Sequence, residues 1–148
     1  MQPHDLLGLM LDCHLHWLAP PERALLHTVA RWANVPHSPH ALALRAGFRN
    51  RYQLSYVLRR SGFPPWTQLV GWLRLLTWLS ELEAEGGSLC ELALRDGHDP
   101  AYRYRLAKRL TGADWSVVRD CGLLWGVVQF ASQFHAPRVR SVGSRMLA

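Results

Sequence analysis

A segment of 25 residues recurs at an offset of 50 residues, and this repeat constrains the fold more than any other feature of the chain. Residues 38–62, which begin Ser-Pro-His-Ala-Leu-Ala-Leu-Arg-Ala-Gly, return as residues 88–112, which begin Ser-Leu-Cys-Glu-Leu-Ala-Leu-Arg-Asp-Gly. Nine of the 25 aligned positions are identical, whereas ordinary residue usage would give about two. Two copies are too few for a solenoid, which needs at least about three. The sequence therefore predicts a duplicated supersecondary unit, the first repeat (38–62) and the second repeat (88–112).

Each repeat opens with the signals of a short helix. Ser38 precedes a proline, which is typical of an N-cap followed by Pro at the first helical position. Ser88 and Glu91 have the spacing of a capping box. The leucines and alanines that follow predict helices over 39–46 and 89–96.

Each repeat then continues with a turn and a second helix. Gly47 and Gly97 stand where the first helix must end, a position that favours glycine. Asn50 and Asp99 are cap-like residues that predict a second helix of about ten residues in each repeat. Short helix, glycine turn and second helix together form the helix-turn-helix outline.

The outward faces of the second helices are basic and carry tyrosines. A helical wheel places Arg51, Leu54, Val57 and Leu58 on the inner side in the first repeat, and Tyr102, Leu106 and Leu110 in the second. Basic side chains interleaved with Tyr and Gln suit phosphate anchoring and base-edge contact, although a solvated charged face would look similar in either repeat alone. The predicted DNA-contacting residues are Arg49, Tyr52, Gln53, Tyr56, Arg59 and Arg60, with Arg103, Tyr104, Arg105 and Lys108 in the second repeat.

A long helix is predicted between the repeats. Pro65 and Gly86 bracket residues 65–85, in which leucines and tryptophans recur at helical spacing. Such a helix would be about 31 Å long, close to the roughly 34 Å advance of one turn of B-DNA. It could hold two recognition helices over successive major grooves.

The bulk composition favours a cytoplasmic protein with an anionic partner. The net charge is +6, because sixteen Arg and one Lys outnumber eleven Asp and Glu. Arg suits phosphates and guanine edges, although a GC-rich genome would also favour Arg codons. The three cysteines are odd in number and widely spaced, and no apolar run reaches the roughly 18 residues of a membrane span. The N-terminus lacks the basic start of a secretory signal.

No pattern points to an enzyme, a cofactor or a metal site. A Gly-rich phosphate loop, a nucleophile elbow and paired carboxylates are all absent from the sequence. Asp12 and His16 would share one side of a helix, but Cys13 and His14 diverge by about 100° and no zinc-finger spacing follows. We therefore expect no catalytic activity, no cofactor and no metal.

These features resemble the DNA-binding domain of the AraC/XylS-type bacterial transcriptional regulators. The motifs that carry the resemblance are Ala46-Gly47-Phe48, Asn50, Leu54-Ser55, Leu58-Arg59-Arg60 and Gly62-Phe63-Pro64-Pro65, preceded by residues 21–34 at the place of the family's first helix. The resemblance covers about residues 20–120. It implies an all-α domain of seven helices in homeodomain-like three-helix lobes, with two recognition helices entering adjacent major grooves. A chain of this length leaves no room for the family's usual sensor domain, so no small-molecule inducer is expected.

Three positions depart from the family signature. His98 stands where Phe is usual, Lys108 where an apolar core residue is usual, and Tyr56 where Arg is usual. The register of the second recognition helix is therefore open by one residue. Carried over by position, the base-reading residues are Tyr52, Gln53 and Tyr56, with Arg103 and Arg105 as weaker candidates.

The predicted organisation has five segments: an amphipathic helix (1–19), a first helix-turn-helix unit (20–64), a linker helix (65–87), a second helix-turn-helix unit (88–120), and an apolar helix with a basic tail (121–148). The apolar stretches 4–18 and 121–134 lie outside the family pattern. We expect them to complete the core; the alternative is a homodimer interface or a contact with RNA polymerase. The arginines of the tail are expected to add phosphate contacts.

The sequence thus predicts an all-α transcriptional regulator that reads double-stranded DNA with both repeats. Two other functions fit the same sequence. One is a helical protein-protein interaction module that keeps the scaffold without DNA readout. The other is a binder without sequence preference that is held by phosphate contacts alone.

Overall fold

The computed structural model describes residues 2–33 and 38–135, and in these residues it contains eight α-helices and no β-strand. The predicted all-α class is confirmed, and the predicted basic tail lies outside the described residues. None of the helices in the described ranges is both long enough and apolar enough to cross a bilayer. The helices are α1 (Pro3–His14), α2 (Pro20–Trp32), α3 (Pro39–Arg45), α4 (Arg51–Arg60), α5 (Trp66–Glu85), α6 (Leu89–Arg95), α7 (Pro100–Thr111) and α8 (Trp115–Ala131).

The helices of the two repeats begin at the capping residues that the sequence predicted. The Ser38 and Ser88 hydroxyls each accept a hydrogen bond, at 3.1 Å, from the backbone N–H three residues later. The Asn50 and Asp99 side chains accept hydrogen bonds from backbone N–H groups in the first turns of α4 and α7. Because these N–H groups have no partner within the helix, the caps define where each helix starts.

Helix α5 lies at the centre of the molecule. Twelve of its 20 residues are buried, and they occur all round the helix, as the four successive buried residues Leu69, Val70, Gly71 and Trp72 illustrate. Helices α1, α2, α7 and α8 pack against it. Full burial of one leucine side chain contributes about 1.5–3 kcal/mol. The predicted linker helix is therefore also the core of the fold.

The two terminal helices supply much of this enclosure. Both α1 and α8 pack against α5 and against each other, and their buried residues include Leu7, Leu11, Val127 and Phe130. These contacts agree with the expectation that the terminal stretches complete the core. Helix α1 covers only Pro3–His14, so it is shorter than the amphipathic helix predicted within residues 1–19.

Helix α8 contains a break next to the predicted boundary between residues 120 and 121. Gly122 has non-helical angles (φ 85°, ψ 178°), and the backbone N–H of Leu123 donates to the Glu83 carboxylate at 2.7 Å. A side chain of the central helix α5 thus caps the second half of α8.

Gly62 joins the end of the first repeat to the C-terminal end of the described chain. The backbone N–H of His135 donates to the Gly62 carbonyl at 2.8 Å. A Cβ atom on Gly62 would lie 1.9 Å from the His135 carbonyl oxygen, and Gly62 has a φ of 77°. The chain can approach this closely only at a residue without a side chain.

We expect Gly62→Ala to lower the free energy of unfolding more than Gly112→Ala. Gly112 has a nearly equal φ of 75° but open space around it. Its substitution should therefore cost only the backbone strain of a left-handed conformation, about 1–2 kcal/mol. Urea unfolding of the two variants measures the difference. Equal losses would show that the contact with His135 does not constrain the fold.

Candidate nucleic-acid interface

Helix α4 presents arginines and tyrosines on the side opposite to its buried leucines. Leu54 and Leu58 are at most 2% exposed, whereas Tyr52 and Tyr56 are 70% and 61% exposed. All of the predicted contact residues of the first repeat lie on the solvent side: Arg49, Tyr52, Gln53, Tyr56, Arg59 and Arg60.

Local hydrogen bonds orient the N-terminal end of this face. The Gln53 side-chain oxygen accepts from the Arg49 backbone N–H at 2.8 Å, and this bond engages the oxygen and leaves the amide NH₂ as a donor. Arg51, predicted to face inward, is exposed and donates to the Tyr52 hydroxyl oxygen at 3.1 Å. This hydrogen bond lowers the pKa of Tyr52 below its usual value.

In the described ranges, no carboxylate forms an ion pair with an arginine of α4. An acidic residue beside this face, Glu22, accepts a hydrogen bond from Ser61 at 3.5 Å and lines the same groove as Arg60. Between Glu22 and Glu81 the sequence contains eight Arg and no Asp, Glu or Lys. Four basic residues of this face form no ion pair within residues 2–33 and 38–135: Arg49, Arg51, Arg59 and Arg60. The face therefore carries a net positive charge.

The second repeat differs from the first by one residue in its turn. Gly47 and Gly97 match at the offset of 50, and both have a positive φ, but the N-caps Asn50 and Asp99 are only 49 residues apart. The turn of the second repeat is therefore one residue shorter. In this register Arg103 takes the position that Leu54 has in the first repeat.

Arg103 is fully buried, and the prediction that it contacts DNA is wrong. Its guanidinium lies over the Trp78 ring, 4.5 Å from the ring centroid. Its Nη2 atom donates to the Asp96 carboxylate and to His98 Nδ1, at 2.9 Å in each case. The shorter turn rotates α7 by one residue, about 100°, and this rotation carries Arg103 into the core.

The other predicted residues of the second repeat are exposed, and the two cations among them are paired. Lys108 Nζ lies 3.0 Å from the Asp114 carboxylate, and Arg105 Nη2 lies 4.0 Å from the Asp99 carboxylate. Tyr104 is 38% exposed. The cationic surface of this repeat is thus much weaker than that of α4.

Arg109 was not among the predicted residues, although it is exposed and forms no ion pair in the described part of the chain. In the register of the caps it corresponds to Arg60. Aligning Asn50 with Asp99, rather than extending the offset of 50 through the turn, would have identified it.

Metal-binding side chains are not clustered within the described ranges: no three His, Cys, Asp or Glu residues come together there. Asp12 is 2.7 Å from His27 Nε2, whereas His16 Nδ1 lies 3.3 Å from a backbone carbonyl oxygen.

An open groove of about 460 Å³ borders the face of α4, between Trp17 and Tyr56.

The candidate interface therefore consists of the α4 face, with Arg109 as an unpaired cation in the second repeat. No family model, no curated protein and no solved structure matches this chain.

We expect Arg103→Ala to lower the free energy of unfolding by about 3 kcal/mol, because it leaves Asp96 without its buried partner and a void beside Trp78. Arg103→Leu should lose less, since leucine fills this position in the first repeat. The control Arg105→Ala removes a side chain that is 71% exposed and should change stability by no more than about 0.5 kcal/mol. Urea unfolding checks all three, and equal losses for the two alanine variants would contradict the burial of Arg103.

A second prediction concerns Asp96. Partial burial alone would raise the pKa of Asp96. Hydrogen bonds from Arg103 and Arg95 lower it by more, so the pKa of Asp96 lies below its usual value. A carboxyl with a lowered pKa stabilises the fold above its unfolded pKa of about 3.9 and loses that contribution as the pH falls through the folded pKa. We expect Asp96→Asn to be less stable at neutral pH and to lose less stability below about pH 4. Unfolding curves over this range test the prediction, with Asp120→Asn, at an exposed position of α8, as the matched substitution.

Proposed function

We propose that this protein is a double-stranded DNA-binding transcriptional regulator in which α4 is the principal recognition helix. The observation that carries the proposal is the exposed face of α4, whose arginines form no ion pair with a carboxylate in residues 2–33 and 38–135. Uncompensated arginines on one helix face release counterions from DNA when they bind it, and this release supplies much of the affinity.

The side chains of α4 suit two different tasks. Arg59 and Arg60, at the end of the helix, are placed for phosphate contacts, which position the protein on the duplex. Tyr52, Tyr56 and the free amide NH₂ of Gln53 are exposed donors that suit base edges in the major groove. These are the residues that the resemblance to the AraC/XylS-type family also implies.

In this proposal the two repeats are tandem helix-turn-helix units, and they do not contribute equally. The second repeat adds phosphate contacts through Arg109 and, more weakly, through the paired cations Arg105 and Lys108. Since Arg103 is buried, base reading rests on the first repeat. Helix α5, with 20 residues, spans about 30 Å between them.

The alternative function is a helical protein-protein interaction module. The paired cations of the second repeat favour it, as do the apolar side chains left exposed on the terminal helices, which are Leu6, Leu9, Leu124 and Val128. A homodimer or a contact with RNA polymerase through these residues remains a prediction. A binder without sequence preference is the third possibility, and selection of duplexes from a random library separates it from a regulator.

Salt titration of binding to duplex DNA tests the proposal. We expect the logarithm of the affinity to fall linearly with the logarithm of the salt concentration, with a slope of about −0.9 per phosphate contacted. The double variant Arg59→Gln, Arg60→Gln should reduce the magnitude of this slope by about two. The matched variant Arg105→Gln, Lys108→Gln removes the same charge from paired positions and should reduce the slope by less than about one.

Fluorescence anisotropy with a labelled duplex provides both measurements. Equal effects of the two double variants would contradict α4 as the principal contact. Absence of binding at low salt would exclude both DNA-binding functions and leave the protein-interaction module.

A further inference from the structure

The C-terminal end of α2 touches both the first repeat and the central helix. The Arg45 guanidinium, at the end of α3, lies over the Trp32 ring, 4.3 Å from its centroid. The next residue, Ala33, is fully buried, and its carbonyl oxygen accepts a hydrogen bond from Arg74 Nε. Ala33 is the C-cap residue of α2. Carbonyls at the C-terminal end of a helix have no partner within it, and Arg74 supplies a donor to this one.

The same guanidinium also reaches the second repeat. Arg74 Nη1 donates to the Tyr102 hydroxyl oxygen on α7 at 2.8 Å. The Tyr102 ring packs edge-on against Trp78, which lies one turn after Arg74 on the same side of α5. Arg103, the next residue of α7, covers the Trp78 ring. Two successive residues of α7 are thus anchored to two successive turns of α5.

These contacts form a continuous path between the repeats. It runs from Arg45 through the end of α2 to Arg74, and from Arg74 to Tyr102. A planar guanidinium holds its donors at fixed angles, so two hydrogen bonds to different helices restrict how those helices rotate about α5. A lysine ammonium would not impose such angles.

We propose that Arg74 is a positioning residue that sets the orientation of the first repeat relative to the second. Helix α5 keeps the repeats apart, and Arg74 stops them from rotating around it. For DNA binding this orientation determines whether Arg109 meets the backbone of the same duplex that α4 contacts, a consequence that rests on the proposed function.

Distance measurements between spin labels test the orientation without DNA. Leu44 and Leu94 are equivalent, exposed positions in the two repeats, and each is replaced by a labelled cysteine after Cys13, Cys90 and Cys121 have been removed. In the parent protein we expect a narrow distance distribution. Arg74→Met and Arg74→Lys should broaden it, and Tyr102→Phe, which removes only the hydroxyl and keeps the ring on Trp78, should broaden it as well.

The charge-matched control is Arg31→Met, an exposed arginine of α2, which should leave the distribution narrow. Circular dichroism and a cooperative melting transition confirm that each variant is folded. If Arg74→Met does not fold, Tyr102→Phe decides the question. A folded Tyr102→Phe or Arg74→Met protein with an unchanged distribution would overturn the proposal.

Binding to two duplexes tests the consequence for DNA. A duplex of about 8 base pairs accommodates α4 alone, whereas one of about 20 base pairs, roughly two turns, extends to the second repeat. We expect Arg74→Met to weaken binding to the long duplex more than to the short one, with Arg31→Met as the charge control. Equal weakening on both duplexes would contradict the coupling. If the parent protein binds neither duplex, the proposed function fails and the distance measurement still decides the role of Arg74.

Discussion

The fold depends on the enclosure of α5. A helix that is apolar on all sides is stable only when other elements cover every side of it, and α1, α2, α7 and α8 do so here. Within the continuous buried stretch from Leu69 to Ser80 only Arg74 is partly exposed, and it bonds to α2 and α7. The central helix therefore determines the separation of the repeats. Its one basic residue, Arg74, bonds to the end of α2 and to α7.

The two repeats share a backbone pattern but differ in the chemistry of their cores. Where the first repeat has Phe48 and Leu54, the second has His98 and a fully buried Arg103. A buried guanidinium requires partners. Its Nη2 atom bonds to Asp96 and His98 and its face lies over the Trp78 ring, whereas Nε and Nη1 are buried without a hydrogen-bond partner among the described residues. In the second repeat, Arg103 therefore takes part in internal packing and is not exposed for contact with a partner.

The two repeats also differ in the balance of charge in the parts of the chain around them. Residues 23–80 contain eight Arg and no acid, whereas residues 81–120 contain eight acids and six basic residues. Five of the eight carboxylates of the second region form ion pairs with its cations, as Asp114 does with Lys108. An anionic partner would be drawn to the first repeat, because attraction falls where opposite charges already compensate each other.

The sequence by itself determined the helices of the repeats, their caps, the glycine turns and the exposed basic face of α4. These features follow from interactions within about four residues and from helical periodicity, which can be read without knowing the fold. Only the tertiary structure decided that the guanidinium of Arg103 packs on the Trp78 ring and that Arg74 joins two helices. These contacts join residues far apart in the chain, as Arg74 and Tyr102 are by 28 residues. Packing between such distant residues leaves no periodic signal in the sequence.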